Sequence, residues 1–218
     1  MSNELVDEII KENLDFLESI DSSKYDGLKE GQNPKITLLT CADSRVPTNA
    51  IMKDTINNIF SIENIGNQIV TAEGSVDYGV LHLKTPLLVI LGHSDCGAIK
   101  TCFNDFSKET NGIIKELETL SDGLAETDHN ISKDDPQRIG KYIEINVDYQ
   151  VNHALDKYKD LVESKELTII GLIMDFNGTY SEKQGKIYLI NYNGETTVEK
   201  IKEILKLENE DEKIKRIS

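Results

Sequence analysis

The stretch KITLLTCADSR, residues 35–45, decides the fold because a short apolar run ends in it at a cysteine. Pro34 precedes the run, and residues 35–40 have the length and the continuous hydrophobicity of a buried strand. A second run of this kind, LLVIL at 87–91, ends just before Gly92 and His93. The sequence therefore predicts two buried strands, each followed by a side chain that binds metals well.

Further strands and helices are predicted on either side of these two runs. Five segments are predicted to be helical, three of them, 4–20, 72–83 and 138–162, because apolar residues recur every three or four positions. The five segments are residues 4–20, 72–83, 97–106, 110–124 and 138–162. Three more strands are predicted at 59–62, 167–174 and 186–192, and the last follows a glycine-containing turn, which favours an antiparallel edge. The alternation predicts an α/β fold: a central, mainly parallel β-sheet with an antiparallel edge strand, flanked by helices.

Length and composition favour one globular domain over residues 1–218. The chain has 38% hydrophobic residues, with a helix expected near its start at 4–20 and a charged tail at 208–218, solvated over 208–216. The net charge of -15 argues against nucleic acids and anionic membranes as partners. The acidic beginning and the lack of a long apolar run predict a soluble, cytoplasmic protein. Three cysteines, an odd number, favour metal or redox chemistry over disulfides.

A zinc site is predicted from Cys41, His93 and Cys96. Two thiolates and one imidazole suit this ion and leave one coordination position open. Cys41 and His93 each follow a buried strand, and the carboxyl ends of parallel strands gather at one edge of a sheet. The His-x-x-Cys spacing allows a turn to aim both side chains at one point, with Gly92 and Gly97 relieving crowding. The alternative is that both cysteines are small buried hydrophobes and the histidine a satisfied core residue.

Asp43 and Arg45 lie two and four residues beyond the first predicted ligand. Asp43 is expected to accept a hydrogen bond from water that reacts at the metal, and Arg45 to keep this carboxylate ionised and oriented. The alternative is an ordinary surface ion pair, which contributes little stability.

CADSR at 41–45 and GHSDCGA at 92–98 together resemble the paired zinc motifs of β-class carbonic anhydrases. The resemblance covers about residues 30–195. Four further segments are similar to the family in order: ENIGN at 63–67, EGSVDYG at 73–79, NVDYQV at 146–151 and GLIMDFNGTYSEKQGKIYLI at 171–190.

The resemblance implies one Zn²⁺ per chain on Cys41, His93 and Cys96, with Asp43 and Arg45 as a catalytic dyad. It implies reversible hydration of carbon dioxide to bicarbonate and a proton. It also implies a homodimer or an assembly of dimers, in which the N-terminal helix packs on a partner subunit; packing of that helix within its own chain is the alternative.

Two other functions remain open on the sequence alone. The same zinc site suits hydrolysis of carbonyl sulfide or carbon disulfide, which are linear like carbon dioxide. A zinc-binding regulatory protein without turnover would hold Asp43 permanently in the fourth coordination position. Glu63 and Ile65 depart from the arginine and alanine of many family members, and the chain has no tryptophan, so the non-catalytic bicarbonate site of some members is expected to be absent.

The remaining thiol and imidazoles receive structural or solvent-exposed roles. Cys102 follows Cys96 by six residues, which on a helix places it on a different face, so a buried free thiol is expected. His82, His129 and His153 are each expected to be structural or exposed. An imidazole titrates near neutral pH, so any of the three is a candidate proton relay, and the sequence does not select one.

Overall fold

The computed structural model describes residues 2–127, 131–207 and 213–218, and the chain divides into two units, residues 1–33 and 34–218. The first unit, described from Ser2, contains helix α1 (Ser2–Ser19) and a 3₁₀ turn (Ser22–Tyr25). Helix α1 is the predicted N-terminal helix, and none of its residues is buried. The single domain expected over residues 1–218 stays a prediction.

The second unit is built on one five-stranded sheet in the order β2-β1-β3-β4-β5. The first four strands in that order run parallel, and β5 pairs antiparallel with β4. The bounds are β1 Ile36–Cys41, β2 Ile59–Asn64, β3 Leu87–His93, β4 Thr168–Asp175 and β5 Lys186–Tyr192. The mainly parallel sheet with an antiparallel edge is thereby confirmed.

Strand β1 shows why these apolar runs form the centre of the sheet. All six of its residues are buried, and successive side chains enter opposite faces. Leu39 and Cys41 join the larger apolar cluster, whereas Ile36 and Leu38 join a smaller cluster on the other face. A strand buried on both faces needs hydrophobic residues at nearly every position, which explains its continuous run.

Helices cover the face of the sheet that carries the larger cluster. The described helices are α2 Glu73–Asp77, α3 Gly97–Thr101, α4 Asn111–Glu126, α5 Arg138–Lys157, α6 Lys159–Glu163 and α7 Val198–Leu205, with a π turn at Tyr78–His82 and 3₁₀ turns at Thr48–Ala50 and Val70–Ala72. The predicted helix over 138–162 breaks at Tyr158, whose hydroxyl donates to Asp77 over 2.7 Å. Helix α7 was not predicted.

Helix α5 crosses β3 and β4 at short range because two glycines face it. A Cβ at Gly92 would lie 2.7 Å from Cγ2 of Val147, and one at Gly171 would lie 2.6 Å from its Cγ1. Val147 is completely buried between these two positions. The two glycines therefore set the distance from α5 to the strand that ends at His93.

The described part of the tail, residues 213–218, packs against the sheet and α5. Ile214 bridges to Leu189 of β5 and is 2% exposed, and Arg216 pairs with Asp148 over 2.7 Å. The expectation of a solvated end is therefore wrong for this part, because helix α5 provides acidic partners for it. Residues 208–212 of the predicted tail lie outside the described residues. Among the described residues, no helix has the length and apolarity needed to cross a bilayer.

Candidate metal centre

The site lies where two neighbouring parallel strands end. Cys41 is the last residue of β1 and His93 the last residue of β3, and these strands pair directly with Thr40 opposite Leu91. Parallel pairing places both carboxyl ends at one edge of the sheet. The sequence identified both strand ends, and their pairing brings the two side chains together.

Cys96 reaches the same point through a tight turn after β3. Asp95 adopts a left-handed conformation with φ 63°, which reverses the chain between His93 and Cys96. The turn is fixed to β4 because the Ser94 amide donates to the Met174 carbonyl over 2.9 Å. Gly92 relieves crowding as predicted, but the same expectation for Gly97 is wrong, since a Cβ there would meet nothing within 4 Å.

The three predicted ligands converge in the structure. Their donor atoms all lie within 4.8 Å of one another, and Cys41, His93 and Cys96 are 7%, 1% and 2% exposed. Within the described part of the chain, this is the one group of three or more His, Cys, Asp or Glu side chains placed to hold a metal. The alternative of two small buried cysteines and a satisfied core histidine does not account for this convergence.

The imidazole is oriented for metal binding. Nδ1 of His93 donates to the carbonyl oxygen of Ser94 over 2.9 Å, which leaves the lone pair of Nε2 available. Nε2 is buried and has no hydrogen-bond partner. A buried polar atom without a partner is costly, and a metal ion would satisfy this one. The donor set therefore fits zinc, for which two sulfurs and one imidazole are typical ligands.

Backbone amides prepare the two sulfurs to carry negative charge. A hydrogen bond from the Cys96 thiol lowers the pKa of Cys41, with further contributions from the neighbouring His93 ring and from the amide of Gly66. The pKa of Cys96 is raised, because its proton is held by Cys41 and because it is buried. The amides of Ala98 and Ile99, at the start of α3, donate to Cys96 and oppose this rise. A divalent cation would favour the thiolate form of both residues.

Asp43 and Arg45 form a two-pronged ion pair beside the cluster. Nε of Arg45 donates to Oδ1 of Asp43 over 2.8 Å, and its Nη2 donates to Oδ2 over 2.7 Å. The Arg45 side chain holds the pKa of Asp43 well below its usual range, so the carboxylate is ionised at neutral pH. Oδ2 of Asp43 lies 3.9 Å from Nε2 of His93. The pair thus lies next to the proposed metal position.

A buried amide network, which no predicted feature of the sequence indicated, supports the loop that contains Gly66. The side-chain amide of Asn146 donates to the Gly66 carbonyl over 2.9 Å, and Gln150 accepts from the Ile69 amide over 2.9 Å. Both residues lie on α5, four positions apart, so they point from the same helix face. The available signal was the polar pair inside the apolar segment NVDYQV.

Phe176 is a further residue near the site, and the sequence predicted no role for it. Its ring stacks on His93 with 5.4 Å between centroids, and the Arg45 guanidinium lies over it at 4.3 Å from the ring centroid. Phe176 directly follows β4, the strand that pairs with β3. Its place next to His93 depends on this strand order.

The other cysteine and histidines lie apart from the cluster. Cys102 is half-buried and burial raises its pKa, and its sulfur contacts the Leu117 carbonyl at 3.8 Å. His82 is exposed and packs on Tyr78 with 4.5 Å between ring centroids, and His153 is half-buried on α5. His129 lies outside the described residues.

Comparison with known proteins agrees with this geometry. A sequence model of the family described as "Carbonic anhydrase" matches residues 36–180. A carbonic anhydrase of Emericella nidulans is 31% identical over 134 residues, which cover 58% of this chain and 58% of the relative. Carbonic anhydrase 2 of Mycobacterium tuberculosis is 40% identical over 94 residues, which cover 42% of this chain and 45% of the relative. The chain thus spans about half the length of these curated relatives.

Solved structures share the fold. The β-carbonic anhydrase of Coccomyxa, in complex with acetazolamide, aligns with a TM-score of 0.70 and 22% identity, covering 91% of this chain and 90% of that chain. A tetrameric β-carbonic anhydrase of Sordaria macrospora aligns with a TM-score of 0.70 and 20% identity, covering 87% and 98%. At these identities the likeness concerns the fold.

Proposed function

This chain belongs to the β-class carbonic anhydrase family, and on that premise we propose that it catalyses the reversible hydration of carbon dioxide to bicarbonate and a proton. One observation carries the proposal: a buried cluster of two sulfurs and one imidazole lies next to an ionised Asp43 held by Arg45. Such a cluster provides three ligands and leaves room for a fourth, which is typical of catalytic zinc.

Cys41, His93 and Cys96 would hold one Zn²⁺ per chain. The ion, when bound, supplies a Lewis acid that lowers the pKa of water from about 15.7 towards about 7. The protein contributes the ligand geometry, because amides of the Gly66 loop and of α3 donate to the two sulfurs. The hydrogen bond from Nδ1 of His93 to Ser94 fixes the ring orientation and the tautomer.

Asp43 would orient the water that reacts. Oδ1 accepts from both the amide and Nε of Arg45, whereas Oδ2 accepts only from Nη2 and retains a further lone pair. One oxygen accepts the O–H of the water, so a lone pair of the water oxygen faces the carbon of carbon dioxide. A C–O bond forms to give bicarbonate, and the released proton passes to buffer. Arg45 acts through Asp43, since it keeps the carboxylate charged and fixes its direction.

The two-pronged ion pair between Asp43 and Arg45 also favours a catalytic zinc site over a purely regulatory one. A permanent fourth ligand would require Asp43 to turn away from Arg45. Instead, both of its oxygens lie 2.7–2.8 Å from guanidinium nitrogens. For carbonyl sulfide and carbon disulfide the same site would serve, and we expect carbon dioxide to be the faster substrate when all three are assayed in parallel.

Stopped-flow carbon dioxide hydration on protein of measured zinc content tests the proposal. We expect activity across about pH 7–9, near the range in which zinc-held water ionises. The Cys96→Ser variant should lose both zinc and activity, whereas Cys102→Ser, at the cysteine outside the cluster, should retain both. Absence of hydration by the zinc-loaded protein over this pH range would refute the proposed function, as would full activity of zinc-free Cys96→Ser protein.

We also propose that the chain forms a homodimer or an assembly of dimers. Helix α1 exposes an apolar series with exposed fractions between 45% and 69%: Leu5, Val6, Ile9, Ile10, Leu14, Phe16 and Leu17. A contiguous exposed apolar surface is typical of association sites. In analytical ultracentrifugation, Ile9→Glu should reduce the assembly size, and the exposed Lys11→Glu should not. A wild-type monomer at micromolar concentration would refute this proposal. The cytoplasmic location expected from the sequence stays a prediction, which cell fractionation tests.

A further inference from the structure

Phe176 lies between the two groups that make the site. The guanidinium carbon of Arg45 lies 4.3 Å from its ring centroid, and its ring stacks on His93 at an interplanar angle of 24°. The aromatic ring thus contacts both a proposed metal ligand and the partner of Asp43. Neither binding of a metal by the three ligands nor the ion pair between Asp43 and Arg45 requires such a ring.

The position of Phe176 is fixed by its neighbours. Its amide donates to the hydroxyl of Ser94 over 3.0 Å, which ties it to the residue after His93. The preceding Asp175 is completely buried, and its carboxylate accepts amide hydrogens of the following turn, including that of Tyr180 over 2.8 Å. The ring also packs on the smaller apolar cluster of the sheet. Phe176 is therefore a firmly placed surface against which another group can rest.

The acidic partners of Arg45, in contrast, hold it through contacts that are open to water. Its side chain is 48% exposed, and an ion pair at this exposure contributes little because water competes for both charges. A second carboxylate, Asp95, lies 3.6 Å from Nη1 of Arg45 and also pairs with Lys100. The guanidinium thus has two acidic partners along its edge, and Phe176 occupies its face.

We propose that Phe176 is a positioning residue that holds Arg45 on Asp43 and thereby prevents the Asp43 carboxylate from becoming the fourth metal ligand. The distance of 3.9 Å from Oδ2 of Asp43 to Nε2 of His93 means that a released carboxylate needs only a small rotation to reach the metal position. Loss of the ring removes the cation–π contact and frees Arg45 to move towards Asp95. This inference rests on the proposed function, since it concerns the openness of the same site.

Azide titration of the cobalt(II)-loaded protein, followed by visible absorption, tests the proposal without turnover. We expect Phe176→Leu to weaken azide binding by about 2- to 30-fold, the range that loss of a cation–π contact allows, because Asp43 competes for the open position. Phe176→Tyr keeps the ring and should bind azide as the wild type does. Phe103→Leu is the matched control, because Phe103 stacks with Arg138 at 4.0 Å in another part of the fold.

A second substitution separates positioning from general loosening of the site. Asp43→Asn in the Phe176→Leu background removes the competing carboxylate and should restore azide affinity to the wild-type value. Unchanged azide affinity in Phe176→Leu, or no restoration by Asp43→Asn, would overturn the proposal. Should Phe176→Leu fail to fold by circular dichroism, Phe176→Met replaces it, since it has similar bulk and no ring.

The outcomes also distinguish this inference from the proposed function. Wild-type protein that lacks carbon dioxide hydration but shows the expected azide pattern would refute the function alone. Wild-type protein with hydration activity and identical azide affinities in Phe176→Leu and Phe103→Leu would refute the role of Phe176 alone. With both intact, kcat/KM for hydration in Phe176→Leu should fall by the same factor as the azide affinity.

Discussion

Replacement of Gly92 by alanine should destabilise the protein through one identifiable contact. The new Cβ would lie 2.7 Å from Cγ2 of Val147 and 3.0 Å from Cδ1 of Ile173, well inside the roughly 3.5–4.0 Å at which carbon atoms pack favourably. Both neighbours are completely buried. Val147 cannot simply turn aside, because its other methyl, Cγ1, already fills the space next to Gly171. A Cβ built on Gly171 would lie only 2.6 Å from this methyl.

The expected cost follows from the size of this overlap. Overpacking by one methyl group in a closed core typically costs about 1–3 kcal/mol. For a chain of this length each kcal/mol lowers the melting temperature by about 2–4 °C, so Gly92→Ala should melt about 2–12 °C below the wild type. Val147→Ala alone leaves a cavity and should cost about 2 kcal/mol. In the double variant the new methyl occupies part of that cavity. The cost of the double variant should therefore be smaller than the sum of the two single costs by at least about 1 kcal/mol.

Urea unfolding followed by circular dichroism measures all four proteins of this cycle, with zinc content and protein concentration held constant because binding and assembly both shift apparent stability. Gly112→Ala is the control, since a Cβ there meets nothing within 4 Å and a glycine in a helix is replaced without strain. It should be neutral or stabilising by up to about 1 kcal/mol. Additivity of Gly92→Ala and Val147→Ala within about 0.5 kcal/mol would refute the steric explanation.

Three further outcomes are expected. Tyr180→Phe removes a 2.7 Å hydrogen bond to the buried Glu144 carboxylate and should lower the free energy of unfolding by about 1.5–3 kcal/mol in urea; an unchanged value would contradict a contribution from this bond. Hydrogen bonds from Thr197 lower the pKa of Glu195 from 4.5 to about 2, so the charged group stabilises the fold above pH 4.5 and this contribution disappears as pH falls towards 2. The stability difference between wild type and Glu195→Gln should therefore shrink on acidification, and a constant difference would argue against it. Since Glu63 replaces the arginine of the non-catalytic bicarbonate site, bicarbonate should inhibit hydration only as a simple product.

The strands were accessible from sequence because their burial leaves a continuous apolar pattern. The run predicted at 87–91 became Leu87–His93, and the edge strand at 186–192 has the predicted bounds. Helix α7 (Val198–Leu205) escaped prediction because an eight-residue helix is marginal on its own. Complete burial of Ile201 stabilises α7, and this burial exists only in the tertiary structure.

The packing of residues 213–218 likewise depends on tertiary contacts that the sequence did not indicate. Its charged composition suggested solvation, since no partner for Arg216 is evident nearby in the sequence. The structure provides Glu144 and Asp148 from one face of α5, and the amide of Ile217 donates to Glu144 over 2.9 Å. Charge pairs between distant segments leave no periodic signal in the sequence.

The five residues predicted for the zinc site were recognisable because the relevant spacings are local. Cys41, Asp43 and Arg45 follow one buried strand, while His93 and Cys96 follow another, and each set is contained within a few residues. Tertiary structure alone placed β1 beside β3, which brings the two sets together, and β4 beside β3, which places Phe176 on His93 and Arg45. Geometry within a few residues follows from their spacing along the chain, whereas the order of the strands results from burying the whole sheet at once. The contact between Arg45 and Phe176 therefore appears only in the folded protein.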